Sequence, residues 1–282
     1  VSTPTPRPVR HRRKVTGKRA VIGSAAALAL TGGALLGTGL LAPAGAAPSG
    51  TAPAWPTAQG KPVPVPKTIE VSGVHDGKMQ RYTGSGALGG GGQDESQDPL
   101  FKLKDGAVLK NVVLGSPAAD GVHCSGTCTL ENVWWEDVGE DAATFKGTSP
   151  SATYTVKGGG ARKASDKVLQ FNGAGRLTVT GFQVSDFGKL VRTCGNCGKQ
   201  YKRTVVISDV DITAPGKSIV GINENYGDTA TLSKVRITGD SKKKIKVCTR
   251  FQGNNTGKEP KEIGSGPDGK HCLYKASDVT YK

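Results

Sequence analysis

Leu109-Lys-Asn-Val-Val-Leu114 returns as Leu130-Glu-Asn-Val-Trp-Trp135, then as Ile207-Ser-Asp-Val-Asp-Ile212, Leu232-Ser-Lys-Val-Arg-Ile237 and Ala276-Ser-Asp-Val-Thr-Tyr281. Weaker copies stand at Tyr154-Thr-Val156 and Val179-Thr-Gly-Phe-Gln-Val184. Each copy is short, alternating and rich in β-branched residues, the pattern of a strand with one buried face. A second phase follows each copy: Asp120-Gly-Val-His, Asp141-Ala-Ala-Thr, Asp166-Lys-Val-Leu, Gly188-Lys-Leu-Val and Lys217-Ser-Ile-Val, in steps of 21, 25, 22 and 29 residues. Two short strands per period of 20 to 30 residues, separated by Gly, Asp and Asn, predict an all-β right-handed parallel β-helix in one domain. A two-sheet sandwich is the alternative, but it does not require one register to return so often.

Composition points the same way. The chain of 282 residues holds 41 glycines and 5% aromatic residues, and it has no long amphipathic helical pattern. Seven basic residues, Arg7 through Arg19, precede an uncharged stretch from Ala20 to Ala47 with small residues at Ala44-Gly-Ala46. That order predicts a secretory signal peptide over 1–46, a secreted product, and no stable membrane association once the segment is removed. Its length would also suit an uncleaved anchor. Prolines at 48, 53, 56, 62, 64 and 66 suggest a semi-extended linker over 47–66, followed by the solenoid over 67–282.

Removing 1–46 leaves 31 basic against 23 acidic side chains, so the remaining chain is basic and suits an acidic partner. Nucleic acid is not expected, because basic residues are not interleaved with aromatics and Lys242–Lys246 reads as a solvated loop. Six cysteines in an exported chain predict disulfides. The simplest pairing joins neighbours, 124 with 128, 194 with 197 and 248 with 272; Cys194-Gly-Asn-Cys197 also suggests half a zinc site or a redox pair, but chain position supplies no further zinc ligands.

Equivalent positions in successive rungs stack at the strand spacing of about 4.8 Å. Asp120, Asp141 and Asp166 are therefore expected in one column with Glu140 beside it. Stacked carboxylates repel unless a cation intervenes, and calcium suits several oxygens in a flexible cluster. Turn-forming aspartates would give the same pattern without an ion. Lys167, Lys189 and Arg192 share the register, which suits a carboxylated polymer.

Taken together, Ala118-Ala-Asp-Gly-Val-His-Cys124, Trp135-Glu-Asp-Val-Gly-Glu-Asp-Ala142, Gly158-Gly-Gly-Ala161 with Asp166-Lys167-Val168, and Gly188-Lys-Leu-Val-Arg192 resemble the class III pectate lyases, polysaccharide lyase family 3. The resemblance implies calcium-dependent β-elimination of polygalacturonate or pectin. It also implies Asp120, Glu140, Asp141 and Asp166 as calcium ligands, and Lys167, Lys189 and Arg192 as the catalytic set, with Lys189 and Arg192 binding substrate. Lys167 is favoured as the base and Arg192 stands second. An alkaline optimum follows, and a monomer is expected.

A polygalacturonase-type hydrolase and a non-catalytic acidic-polysaccharide-binding solenoid are the alternatives. Residues 189 and 192 would face opposite sides of a straight strand, so a bend between them is required. His123 is expected to be structural. Lys146 reads equally as a substrate contact or a solvated rung end, and Glu95 could approach the site from the first loop.

Overall fold

The computed structural model describes residues 54–92 and 96–282. The expected signal segment and Glu95 lie outside the described residues. The strands stack in three columns, and every pairing between strands is parallel except that of Lys246–Gln252 with Lys261–Ser265. This is the parallel β-helix that the repeat predicts. No helix among the described residues is long and apolar enough to cross a membrane.

The repeat marks the corner between the first two columns. Asn111, Asn132, Asp209 and Lys234, each the third residue of its copy, hold φ between 51° and 56°. The expectation of one straight strand per copy is therefore corrected: each of these four copies bends at a left-handed residue, while the fifth, Ala276–Tyr281, is a single helical turn followed by a short strand. Asn and Asp tolerate that conformation better than other non-glycine residues. In the weaker rungs Gly158 and Gly181 supply it, both at φ 63°. The Asn132 amide donates to Asn111 Oδ1 at 2.8 Å, and the Asn111 amide to Asp76 Oδ1 at 3.0 Å, so the corners are tied along the stack.

Inside the first column Leu109, Leu130, Val156, Val179, Ile207 and Leu232 are partners in successive rungs and all are buried. Each isolated rung would leave such a residue wet; stacking removes its apolar surface from water at about 25 cal/mol per Å². Phe145, Tyr154 and Phe171 meet with ring centroids 5.0 to 6.2 Å apart.

The expected linker begins the solenoid instead. Gln59–Val65 is a strand paired with part of Val74–Gly84, and Trp55 packs edge-on against Trp134 at 4.9 Å with Arg162 above it. Pro62 and Pro64 alternate along this strand. Their missing N–H groups thus face the same side, which an edge strand leaves open. All three neighbour disulfides form, Cys124–Cys128, Cys194–Cys197 and Cys248–Cys272, which removes the zinc alternative.

Candidate active site

The third column carries the site. It runs through Val122–Cys124, Asp141–Phe145, the end of Gly160–Phe171, the end of Gln183–Thr193, the end of Arg203–Asn223, and Lys246–Gln252. Asp141 pairs with Lys167, Lys167 with Lys189, and Lys189 with Ser218. Continuing the Val122–Ala143 register places Asp120 level with Asp141. One line of positions thus passes from two acids to two lysines. The expected Asp120, Asp141, Asp166 column is corrected at its last member. A register shift between Ala164 and Lys167 puts Lys167, not Asp166, level with Asp141.

The bend required between Lys189 and Arg192 is present. Leu190 and Val191 are both fully buried, while Lys189 and Arg192 line the same cleft. Val168 with Leu169 and Ile219 with Val220 repeat this double burial, so the kink runs along the column.

Asp120, Glu140 and Asp141 each offer an oxygen within 4.8 Å of the others, and they are only 6%, 4% and 3% exposed. Asp120 Oδ1 and Asp141 Oδ1 are buried without a hydrogen-bond donor. Burial pushes the Asp141 carboxyl up to about 9, with Glu140 and Asp120 adding to the effect against the pull of Lys167. Three crowded carboxylates, two of them with an oxygen that no hydrogen-bond donor reaches, fit a hard divalent cation with oxygen preference, and calcium matches that donor set.

Lys167 Nζ stands 3.2 Å from Glu140 Oε1, 3.6 Å from Asp141 Oδ1 and 3.1 Å from Asp166 Oδ2. Burial disfavours its charge, but Asp141, Asp166 and Glu140 outweigh that and raise its pKa. Asp166 also accepts from Lys189 Nζ at 2.8 Å, so its carboxylate lies between two lysines and outside the group of three acids. Arg192 is buried. Its Nη1 donates to Thr193 O at 2.6 Å and to Asn223 Oδ1 at 3.1 Å, and its guanidinium lies 4.0 Å from the centroid of the Phe251 ring. Burial lowers its pKa to about 10, against Asp228 and Glu259.

His123 Nε2 touches Asp120 Oδ2, and Lys146 Nζ lies 3.1 Å from His123 Nδ1. Lys146 therefore joins the acid cluster, and burial lowers its pKa against the pull of Asp120, Asp141 and Glu140. Its sequence context leaves substrate contact and solvated rung end equally open, because its neighbours come from the adjoining rung. Phe251, Glu259 and Pro260, which close one side of the cleft, were also missed. Phe251 sits in the last parallel rung, opposite Asn223, while Glu259 and Pro260 follow it; none belongs to a copy of the repeat motif.

A parallel β-helix with a buried acid triad feeding a lysine- and arginine-lined cleft defines a solenoid suited to handling an anionic polymer. Residues 52–258 match the family described as pectate lyase. The chain is 49% identical over 210 residues to pectate lyase E of Emericella nidulans, covering 74% of this chain and 79% of that protein. It is also 49% identical to probable pectate lyase E of Neosartorya fischeri, covering 73% and 78%. Among solved structures, the catalytic domain of pectate lyase PelI from Erwinia chrysanthemi matches with a TM-score of 0.67 at 33% identity, covering 79% of this chain and all of that one. PelI in complex with tetragalacturonic acid matches with a TM-score of 0.66 at 34% identity, covering 78% and 70%. The chain belongs to the pectate lyase family. The hydrolase and the non-catalytic binding module are thereby set aside.

Proposed function

We propose that this chain is a secreted, monomeric class III pectate lyase that cleaves polygalacturonate by calcium-dependent β-elimination. The observation that carries the reading is the contact of the acid triad with Lys167, which lines one cleft together with Lys189 and Arg192. The solved relative in complex with tetragalacturonic acid supports the substrate class. Asp120, Glu140 and Asp141 would hold calcium. Asp166 offers a further carboxylate to an ion shared with substrate, and without one it holds Lys167 and Lys189.

When bound, calcium supplies positive charge that stabilises the developing negative charge on the uronate carboxylate and offsets the carboxylates that raise the Lys167 pKa. Lys167 takes the C5 proton as a neutral amine. The electron pair forms the C4–C5 double bond, and the C4–O glycosidic bond breaks. Lys189 and Arg192 pair with substrate carboxylates, and the planar guanidinium suits bidentate contact. Asn223 and Phe251 hold that guanidinium in place. Arg192, with its lowered pKa, is the second candidate for the base.

The test is ultraviolet absorbance of unsaturated uronide on polygalacturonate, with calcium and with chelator, for wild type, Lys167→Ala and Arg192→Ala. General-base removal is expected to lower kcat by about 10² to 10⁴. Lys167→Ala should do so, while Arg192→Ala should chiefly raise KM. The reverse pattern would make Arg192 the base. Product formation indifferent to chelator would remove calcium from the mechanism.

A further inference from the structure

The cleft is closed at its Arg192 end by a wall that the repeat does not supply. Residues 253–260 lead from strand Lys246–Gln252 into the antiparallel strand Lys261–Ser265, and Cys248–Cys272 anchors the segment. The wall is fastened to the Cys194–Cys197 loop. Asn254 N donates to Gly195 O at 2.7 Å, Gly257 N to Asn196 O at 3.2 Å, and Gln200 Nε2 to Asn254 O at 2.8 Å. A Cβ on Gly195 would collide with both Pro260 and the Arg192 guanidinium, so wall and arginine meet there without room to spare. Glu259 precedes Pro260, lines the same cleft as Lys189 and Arg192, and lies one residue past the family match ending at 258.

Two carboxylates line this cleft. Asp166 is held by Lys167 and Lys189, whereas Glu259 is exposed and enters no ion pair within 4 Å among the described residues. A uronate seated at Arg192 must therefore approach a carboxylate of its own charge. A methyl-esterified uronate carries no charge and meets no such repulsion. We propose that Glu259 is a specificity-determining residue that weakens binding of an unesterified galacturonate at the Arg192 end of the cleft and so narrows its advantage over a methyl-esterified residue there. Burial lowers the Arg192 pKa, and Glu259 is among the carboxylates that oppose this, which agrees with their proximity. The inference rests on the pectate lyase reading, because it assumes a uronate polymer in this cleft.

Glu259→Gln and Glu259→Lys are compared with wild type on polygalacturonate and on pectins of graded methyl esterification, at fixed calcium. Initial rates are read by unsaturated uronide, and retention by affinity electrophoresis in gels containing each polymer. For Glu259→Gln, KM on polygalacturonate is expected to fall about two- to five-fold, the range of one exposed charge interaction, with kcat unchanged. KM on highly esterified pectin should stay constant, and added salt should shrink the difference. Glu259→Lys should shift the preference further. An unchanged ratio between the two polymers in both variants overturns the inference. Absence of unsaturated product from wild type on every polymer would overturn the lyase reading instead, and the retention ratios would still decide the role of Glu259.

Discussion

Asp141 sits where burial and charge oppose one another. Its carboxyl is pushed up to about 9 from an ordinary 3.8, first by burial and then by Glu140 and Asp120. A carboxyl with a raised native pKa binds its proton more tightly in the folded protein than in the unfolded one. Stability of the ion-free protein is therefore present below about pH 4 and is lost progressively as pH rises toward 9. A bound divalent cation removes the penalty, so thermal melts in chelator should fall across that window and melts in calcium should not. Asp141→Asn is expected to flatten the chelator curve while abolishing the calcium shift. A variant that keeps the wild-type slope would place the buried charge elsewhere.

At the scale of single elements, the corner residue makes a column turn. Asn132 combines a left-handed backbone with hydrogen bonds to Asn111 Oδ1 and from Trp134 Nε1, at 2.8 and 2.7 Å. Asn132→Val should lower stability by about 2 to 3 kcal/mol, since a β-branched residue resists this conformation and both hydrogen bonds are lost. Asn132→Gly keeps the turn and should cost about 1 kcal/mol, the worth of the lost bonds. Urea unfolding midpoints measure both. The copies beginning at Leu109 and Leu130 were legible because the stack demands an apolar residue at each fixed position. The corner within them was not legible, since an Asn flanked by β-branched residues reads as alternation until its φ is known.

The whole molecule is a stack whose ends need covering. The strand Gln59–Val65 and Trp55 cover the edge beside Val74–Gly84. A chain starting at residue 67 exposes that strand edge and the face of Trp134 that Trp55 covers. It should melt lower than a chain starting at 52 and associate at high concentration, as seen by light scattering. Equal melting temperatures would show that the first strand is dispensable.

The sequence by itself determined the parallel β-helix and the neighbourhood of Asp120, Glu140, Asp141, Lys167, Lys189 and Arg192, because a solenoid repeats its register in the chain and local spacing then reports stacking. Tertiary structure alone decided three matters. The register shift before Lys167 moved Asp166 out of the acid column, and a bulge leaves no periodic trace. Lys146 came to the acids across a rung through His123. Phe251 reached Arg192 from the last parallel rung, and Glu259 from the connection into the antiparallel strand Lys261–Ser265. Such contacts depend on where the chain returns in space, and spacing along the sequence carries no record of that.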